Sequence, residues 1–362
     1  MDKQTVAVLF GGRSSEHSIS SATAGGVLAA IDRDRYDVIP VGITRDGAFV
    51  LEQDDPARFA LDPEHMPEVV DNGTRIRWPQ PSGDRTLRAV LADGSSVDLG
   101  EIDVVLPLLH GLHGEDGAIQ GFFDVLDVPY AGGGILDSAV CLDKHFTKLA
   151  LSAAGISVAP GITVRQAEWD ADPESIREKV RALGETAFVK PASAGSSVGV
   201  SRVDGGEGID EAFRIAFDED AKVLVESRVA GREIEVGVLA GRGSERARAS
   251  LPGEVVLTTR SFYDFEGKYL GGEGVDIVCP AELDDDLIAR LRETAVRAFE
   301  AVDGTGLARV DFFVTPDGEL VVNELNTMPG FTPISMFPKC WIASGMTYSE
   351  LITELIEAGL SK

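Results

Sequence analysis

The sequence predicts a β-hairpin near the C-terminus. Residues 309–314 and 319–326 form two runs that are rich in apolar and β-branched side chains. The turn sequence Thr-Pro-Asp-Gly lies between them; Pro fixes φ and Gly accepts unusual φ values, which is a typical hairpin signal. We expect the turn to be centred on Pro316 and Asp317. The register that follows decides which side chains share a face of the sheet.

Side chains alternate between the two faces of a strand. In the predicted register Arg309 lies opposite Glu324 and Asp311 is the diagonal neighbour. One face therefore carries a polar group made of Arg309, Asp311, Glu324 and Asn326, and the other face carries the apolar group Val310, Phe312, Val314, Val321 and Leu325. The polar face has two interpretations at this point. It is either a solvated face with ion pairs worth roughly a few tenths of a kcal/mol each, or a site for divalent cations and an anion.

Composition restricts the class of protein. The chain has 362 residues, 44% hydrophobic content and a formal net charge of −27. Such acidity argues against nucleic acid and anionic membranes as partners. No apolar run approaches the roughly 20 residues that span a bilayer. Three scattered cysteines suit neither a disulfide framework nor a zinc site, so we expect a cytoplasmic protein.

The first residues predict a β-α-β unit. An apolar strand at residues 6–10 leads into a glycine turn, a helix is expected at about residues 19–31, and a second strand at about 37–43. The turn lacks the G-x-G-x-x-G spacing of dinucleotide-binding proteins, which argues against a nucleotide-dependent dehydrogenase. Residues from about 51 to 100 are rich in Pro, Asp and Gly and predict an insertion with hairpins. A single helix is expected at residues 135–154.

Several segments are suited to binding phosphate. Residues 192–199 are small and follow a strand that ends in Lys190, so their N–H groups could approach phosphate oxygens closely. Lys144 lies in a similarly apolar context. The loop at residues 260–274 is long enough for a lid. Each segment also has a plain interpretation: a flexible turn, lysines that extend to solvent, or a loop without function.

Taken together, eight segments resemble the ATP-grasp superfamily and, within it, the D-alanine–D-alanine ligases. They occur in order along nearly the whole chain, at residues 10–20, 109–117, 143–144, 189–191, 195–199, 262–269, 309–311 and 323–330. The resemblance implies an α/β (α+β ATP-grasp) fold with three domains. Residues 1–132 would form an N-terminal Rossmann-like substrate domain, 133–226 the central ATP-grasp subdomain, and 227–362 the C-terminal subdomain with the metal site and the lid.

The resemblance also implies a function. Members of the family join two D-alanines to D-alanyl-D-alanine through an acyl phosphate, for peptidoglycan precursors. ATP would be the cosubstrate, with two Mg²⁺ or Mn²⁺ ions and room for a monovalent cation, and a homodimer is expected. An alternative is another ATP-grasp carboxylate–amine ligase whose second substrate is a different amino acid. Tyr269 favours the dipeptide, because relatives that use D-lactate often carry phenylalanine there.

Site residues carry over from the resemblance position by position. The positions matched to ATP are Lys144, Lys190, Ser196, Glu226, Glu233, Phe262, Lys268, Asn323 and Glu324. The catalytic positions are Glu16, Ser196, Lys268, Tyr269 and Arg309. The substrate positions are Glu16, His110, Arg309, Gly330 and Ser335, and the metal positions are Asp311, Glu324 and Asn326. Ser227 departs from the family, in which many members have lysine after the glutamate that corresponds to Glu226.

Overall fold

The computed structural model describes residues 3–62, 64–81, 84–257 and 275–361. Its helices are α1 (His17–Ala30), α2 (Ala118–Val125), α3 (Ile135–Leu142), α4 (Lys144–Ala153), α5 (Gln166–Ala171), α6 (Pro173–Ala182), α7 (Ile209–Glu219), α8 (Asp285–Ala301), α9 (Met336–Ala343) and α10 (Tyr348–Leu360). Its strands are β1 (Gln4–Gly11), β2 (Tyr36–Ile43), β3 (Phe49–Leu51), β4 (Arg75–Arg77), β5 (Thr86–Val90), β6 (Ser96–Glu101), β7 (Val104–Pro107), β8 (Gly161–Arg165), β9 (Thr186–Pro191), β10 (Ser201–Asp204), β11 (Lys222–Ser227), β12 (Arg232–Leu239), β13 (Arg248–Ala249), β14 (Gly253–Leu257), β15 (Val275–Val278), β16 (Leu307–Val314) and β17 (Leu320–Asn326). A short 3₁₀ turn covers Pro56–Phe59.

The N-terminal sheet has the strand order β3-β2-β1-β7. Strand β1 is parallel to both β2 and β7, and β3 adds an antiparallel edge. The predicted β-α-β start is therefore confirmed. The apolar residues of β1 are buried on both faces, as expected for a central parallel strand. The predicted insertion holds a separate antiparallel sheet of β4, β5 and β6.

The central sheet has the order β10-β9-β11-β8, with every pairing antiparallel. Helix α7 packs against β9, β10 and β11. The prediction of a single helix at residues 135–154 was wrong, because α3 and α4 are separate helices that meet at Asp143. The backbone of Asp143 is extended, and its side chain caps α4 by accepting hydrogen bonds from the N–H groups of His145 and Phe146.

The C-terminal sheet runs in the order β15-β14-β12-β16-β17, and β13 pairs with β12. Helix α8 packs on β12, β13 and β16 and encloses a core that includes Ile234, Val236, Val310 and Phe312. Together with the N-terminal and central sheets, this sheet confirms the α/β fold class that the sequence predicts.

The hairpin β16–β17 exists, but its predicted register was wrong by two residues. Gly318 at φ +79° makes the turn one residue longer than expected, and a bulge beyond Asp311 adds a second residue. Because side chains alternate between the two faces of a strand, a total shift of two residues returns each side chain of β17 beyond the bulge to its predicted face. The polar residues therefore share one face as predicted, yet Arg309 is opposite Asn326, and Asp311 is opposite Glu324.

The bulge also changes the apolar face of β17. Val322 pairs with Phe312 and Leu320 pairs with Val314, so both lie in the core beneath the sheet. The prediction that Val321 shares this face was wrong, since Val321 pairs with Phe313 on the opposite side.

The core of the N-terminal sheet includes residues from the end of the chain. Side chains of β1 and β7 share one cluster with Phe337 of α9 and with Leu351 and Leu355 of α10. The last helices thus hold the C-terminal sheet against the N-terminal one. Two of the three free thiols, Cys279 and Cys340, lie with their Sγ atoms 3.7 Å apart, which their spacing in sequence did not indicate.

In the part of the chain that the structure describes, no helix combines the length and the apolarity needed to cross a bilayer.

Candidate active site

The start of α1 meets the small-residue loop at residues 192–199 across 180 residues of sequence. Glu16, just before α1, is 6% exposed, and its Oε1 accepts a hydrogen bond from the Ser196 hydroxyl. A Cβ on Gly111 would lie 2.8 Å from Oε2 of Glu16, and one on Gly195 would lie 3.0 Å from it. Glycines at both positions therefore let two loops close on one carboxylate.

His110 follows β7 and is buried beside this carboxylate. Its Nδ1 lies 2.9 Å from the carbonyl oxygen of Met328, and its Nε2 lies 3.3 Å from the hydroxyl of Thr23. A carbonyl can only accept, so Nδ1 carries the proton in the neutral ring. Burial is the main influence on His110 and lowers its pKa. The nearby charge of Arg309 also lowers this pKa, whereas the charge of Glu16 opposes the shift without cancelling it. The imidazole is therefore neutral at pH 7, within electrostatic reach of both charges.

Glu115 is a half-buried carboxyl that the sequence analysis did not select. Its Oε2 accepts from the N–H of Gly111 at 2.7 Å, and its Oε1 accepts from the N–H of Met328 at 3.0 Å. It thereby ties the loop after β7 to the loop after β17. Burial, and then the charge of Glu16, raise the pKa of Glu115 to about 8.

This raised pKa predicts a pH-dependent stability that Glu115→Gln removes. In the unfolded chain Glu115 ionises near pH 4.5, whereas in the folded protein it keeps its proton up to about pH 8. The contribution of Glu115 to the free energy of unfolding is complete below pH 4.5. It is lost as the pH rises to 8, at up to about 1.4 kcal/mol per pH unit. Urea unfolding at pH 5, 6, 7 and 8 should show the stability of the wild type, relative to the variant, falling over this window. Parallel curves would contradict the assignment.

Lys144 joins the small-residue loop to the C-terminal sheet. Its backbone N–H donates to Ala192 O at 2.9 Å, and its Nζ donates to Ala194 O at 2.7 Å. The same Nζ lies 3.7 Å from Oε2 of Glu324 on β17. Two residues predicted to serve ATP, one at the start of α4 and one on β17 of the C-terminal sheet, are thus neighbours.

Glu226, near the end of β11, is 4% exposed, and its carboxylate contacts two lysines. Its Oε2 contacts Nζ of Lys190, and its Oε1 lies 2.6 Å from Nζ of Lys148. Burial alone would raise the pKa of Glu226, but the two lysines lower it, so the group is a carboxylate. Burial lowers the pKa of Lys148 to about 8. Lys148 was missed in the sequence, although its spacing from Lys144 places both on one side of α4.

Arg309 and Asp311 project from the polar face of the hairpin and contact each other. Nε of Arg309 donates to Oδ1 of Asp311 and Nη2 donates to Oδ2, both at 2.7 Å. Asn326 donates its Nδ2 hydrogen to Oδ2 at 3.1 Å. Two carboxylates and an amide oxygen are the hard ligands that Mg²⁺ prefers. The predicted metal residues therefore fit a divalent ion, and the guanidinium supplies positive charge at this point of the structure.

The loop before α9 holds the two residues predicted for a second substrate. Gly330 is buried, and Ser335 is the N-cap residue of α9. The Ser335 hydroxyl lies 2.7 Å from that of Thr332 and makes no hydrogen bond to the first turn of the helix. Main-chain N–H groups at a helix start favour anions, which suits a substrate carboxylate.

With this geometry established, comparison with known proteins decides the family. The family model described as D-ala D-ala ligase N-terminus matches residues 5–133, and the one described as D-ala D-ala ligase C-terminus matches residues 150–357. The chain belongs to the D-alanine–D-alanine ligase family.

Relatives match over nearly the full length. A protein of Arthrobacter sp. (strain FB24) named D-alanine–D-alanine ligase is 50% identical over 99% of this chain and 95% of its own. The D-alanine–D-alanine ligase structure from Coxiella burnetii has a TM-score of 0.82 at 34% identity, covering 99% of this chain and 94% of that one. The D-Ala:D-Ser ligase structure from Enterococcus faecalis has a TM-score of 0.83 at 31% identity, covering 99% of this chain and 100% of that one.

The sequence also selected five further residues for ATP binding or catalysis. Phe262, Lys268 and Tyr269 lie outside the described residues. Glu233 is half-buried on β12, where it pairs with Phe313 of β16. Asn323 is the extra residue of the bulge in β17. The roles predicted for all five remain predictions.

Proposed function

We propose that this protein is a cytoplasmic ligase that joins two D-alanines to D-alanyl-D-alanine with ATP, for peptidoglycan precursors. Family membership supports the reaction class. The observation that carries the proposal is that Glu16, Ser196 and His110 meet near Arg309, which brings together opposite charges suited to an amino acid. We also propose the three domain limits given in the sequence analysis. We further propose that the protein is a homodimer, and sedimentation equilibrium would test this oligomeric state.

The reaction needs activation because a carboxylate is a poor electrophile. Transfer of the γ-phosphoryl group of ATP to the first D-alanine gives an acyl phosphate, whose phosphate is a good leaving group. The amino group of the second D-alanine then attacks the acyl carbon, and the tetrahedral intermediate releases phosphate and the dipeptide. Positioning and charge stabilisation supply most of such a rate enhancement.

The first D-alanine would lie between Glu16 and Arg309. The Glu16 carboxylate would hold the substrate ammonium group, and Arg309 would stabilise negative charge on the reacting carboxyl and on the later oxyanion. The neutral imidazole of His110 would line this site with a polar group, and because it carries no charge it would not compete with the substrate ammonium group for the Glu16 carboxylate. Ser196 keeps Glu16 in place and, with Tyr269, would close the lid, because water would hydrolyse the acyl phosphate.

ATP would bind in the cleft between the central and C-terminal sheets. Lys144 and Lys190 would contact its phosphates, joined by Lys268 when the lid closes. Lys190 can leave Glu226 for a phosphate because Lys148 remains to neutralise that carboxylate. Residues on the nucleoside side would be Glu226, Glu233, Phe262 and Asn323.

Asp311, Glu324 and Asn326 would hold two Mg²⁺ or Mn²⁺ ions, and a monovalent cation could accompany them. Bound there, the ions would neutralise the phosphates of ATP during transfer. The second D-alanine would present its carboxylate to Ser335, to the Gly330 backbone and to Arg309. The first turn of α9 favours that anion.

A substrate panel tests the proposal. Purified protein with ATP and Mg²⁺ should release phosphate when D-alanine is added and should form D-alanyl-D-alanine, as followed by a coupled phosphate assay and mass spectrometry. D-serine and D-lactate, offered as second substrates, should give much less product. Release with another amino acid but none with D-alanine would favour the alternative ligase and refute this substrate.

A further inference from the structure

Three acidic residues form a row across the C-terminal sheet. Glu235 of β12 pairs with Asp311 of β16, which pairs with Glu324 of β17. Glu235 is 6% exposed and was not selected from the sequence. Its spacing of two from Glu233 was a usable signal, because residues i and i+2 of a strand share a face.

Arg309 stands between two of these acids. Its Nε lies 2.7 Å from Oδ1 of Asp311 and 2.9 Å from Oε2 of Glu235. Nε carries a single hydrogen, and the directed hydrogen bond is the one to Asp311. Because the guanidinium binds both oxygens of Asp311, a cation can use that carboxylate fully only if Arg309 releases it.

We infer that Glu235 is a positioning residue that receives the Arg309 guanidinium when a divalent cation binds Asp311. The inference rests on the metal role proposed for Asp311. A half-buried guanidinium deprived of its carboxylate beside a divalent ion would be strongly unfavourable. Glu235 removes that cost, because the metal ion then has the carboxylate of Asp311 and the Arg309 guanidinium has the carboxylate of Glu235. The exchange also leaves Arg309 close to where it began, facing the reacting substrate.

A double-mutant cycle on the full chain tests the exchange, with Mn²⁺ as the probe and a non-hydrolysable ATP analogue present. Free Mn²⁺ is measured by electron paramagnetic resonance, so the readout does not depend on turnover. Glu235→Gln should weaken Mn²⁺ binding roughly tenfold, and Glu235→Asp should restore part of it. In an Arg309→Ala background, Glu235→Gln should change the affinity less than about twofold, because no guanidinium is left to relocate.

Glu254→Gln is the matched control, since Glu254 pairs with Arg232 in the same sheet, away from the metal residues. It should leave Mn²⁺ affinity unchanged, and circular dichroism should show that every variant folds. An equal effect of Glu235→Gln in both backgrounds would make Glu235 a metal ligand, and no effect would make it structural; either result overturns the inference. Absence of Mn²⁺ binding by the wild type overturns the metal site itself, which the D-alanine assay checks separately.

Discussion

Glu324→Gln should lower the rate of D-alanine-dependent phosphate release by roughly a thousandfold or more, because charge stabilisation dominates phosphoryl transfer. The substitution keeps the shape of the side chain and removes its charge. Glu324 is opposite Asp311, and its Oε2 lies 3.7 Å from the ammonium group of Lys144. The variant would thus lose a metal ligand and leave Lys144 with one counter-charge fewer.

Stability should hardly change, because glutamine fills the same space and Lys144 keeps its hydrogen bond to the carbonyl oxygen of Ala194. We expect the melting temperature to stay within about 3 °C of the wild type. Glu319→Gln is the control, since this exposed glutamate lies at the turn of the same hairpin. It should retain full activity. If Glu324→Gln kept activity within about threefold of the wild type at saturating ATP and Mg²⁺, its metal role would be refuted.

The same hairpin shows what the sequence could and could not predict. The alternation of polar and apolar residues predicted a polar face correctly, because side-chain direction has a period of two. The register depended on two local details, the left-handed conformation of Gly318 and the bulge at Asn323. Each shifts the pairing by one residue, and neither has a signal strong enough to be read before the structure.

Contacts across long sequence separations were less accessible still. Family resemblance selected Glu16 and Ser196, but no local pattern places a hydroxyl of one domain on a carboxylate of another. Glu115, Lys148 and Glu235 were missed for a related reason. Spacing along the chain places Lys148 and Glu235 on the same faces as predicted residues, but each of the three works through a partner on a different element, and that partner is identified only when packing brings the two together.

Gly306→Ala should unfold or strongly destabilise the protein. Gly306 has φ +63° and precedes β16, and an added Cβ would overlap the carbonyl of Gly132 and lie 2.6 Å from its Cα. Both obstacles are backbone, which cannot rotate away as a side chain can. Nearby, the side chain of Asp137 accepts hydrogen bonds from the N–H and the hydroxyl of Thr305, at 2.8 and 3.0 Å. This joint therefore fixes the start of the strand that carries Arg309 and Asp311.

Gly155→Ala separates the two causes, because Gly155 has a similar φ of +70° but nothing within 4 Å of its Cβ position. That variant should lose only the left-handed preference, about 1–2 kcal/mol. Gly306→Ala should lose the same amount plus the cost of moving one backbone segment off another, several kcal/mol in total. Urea unfolding followed by circular dichroism measures both. Equal losses would mean that the chain at Gly132 can yield, and the joint would then not fix the distance between the N-terminal carboxylate and the hairpin.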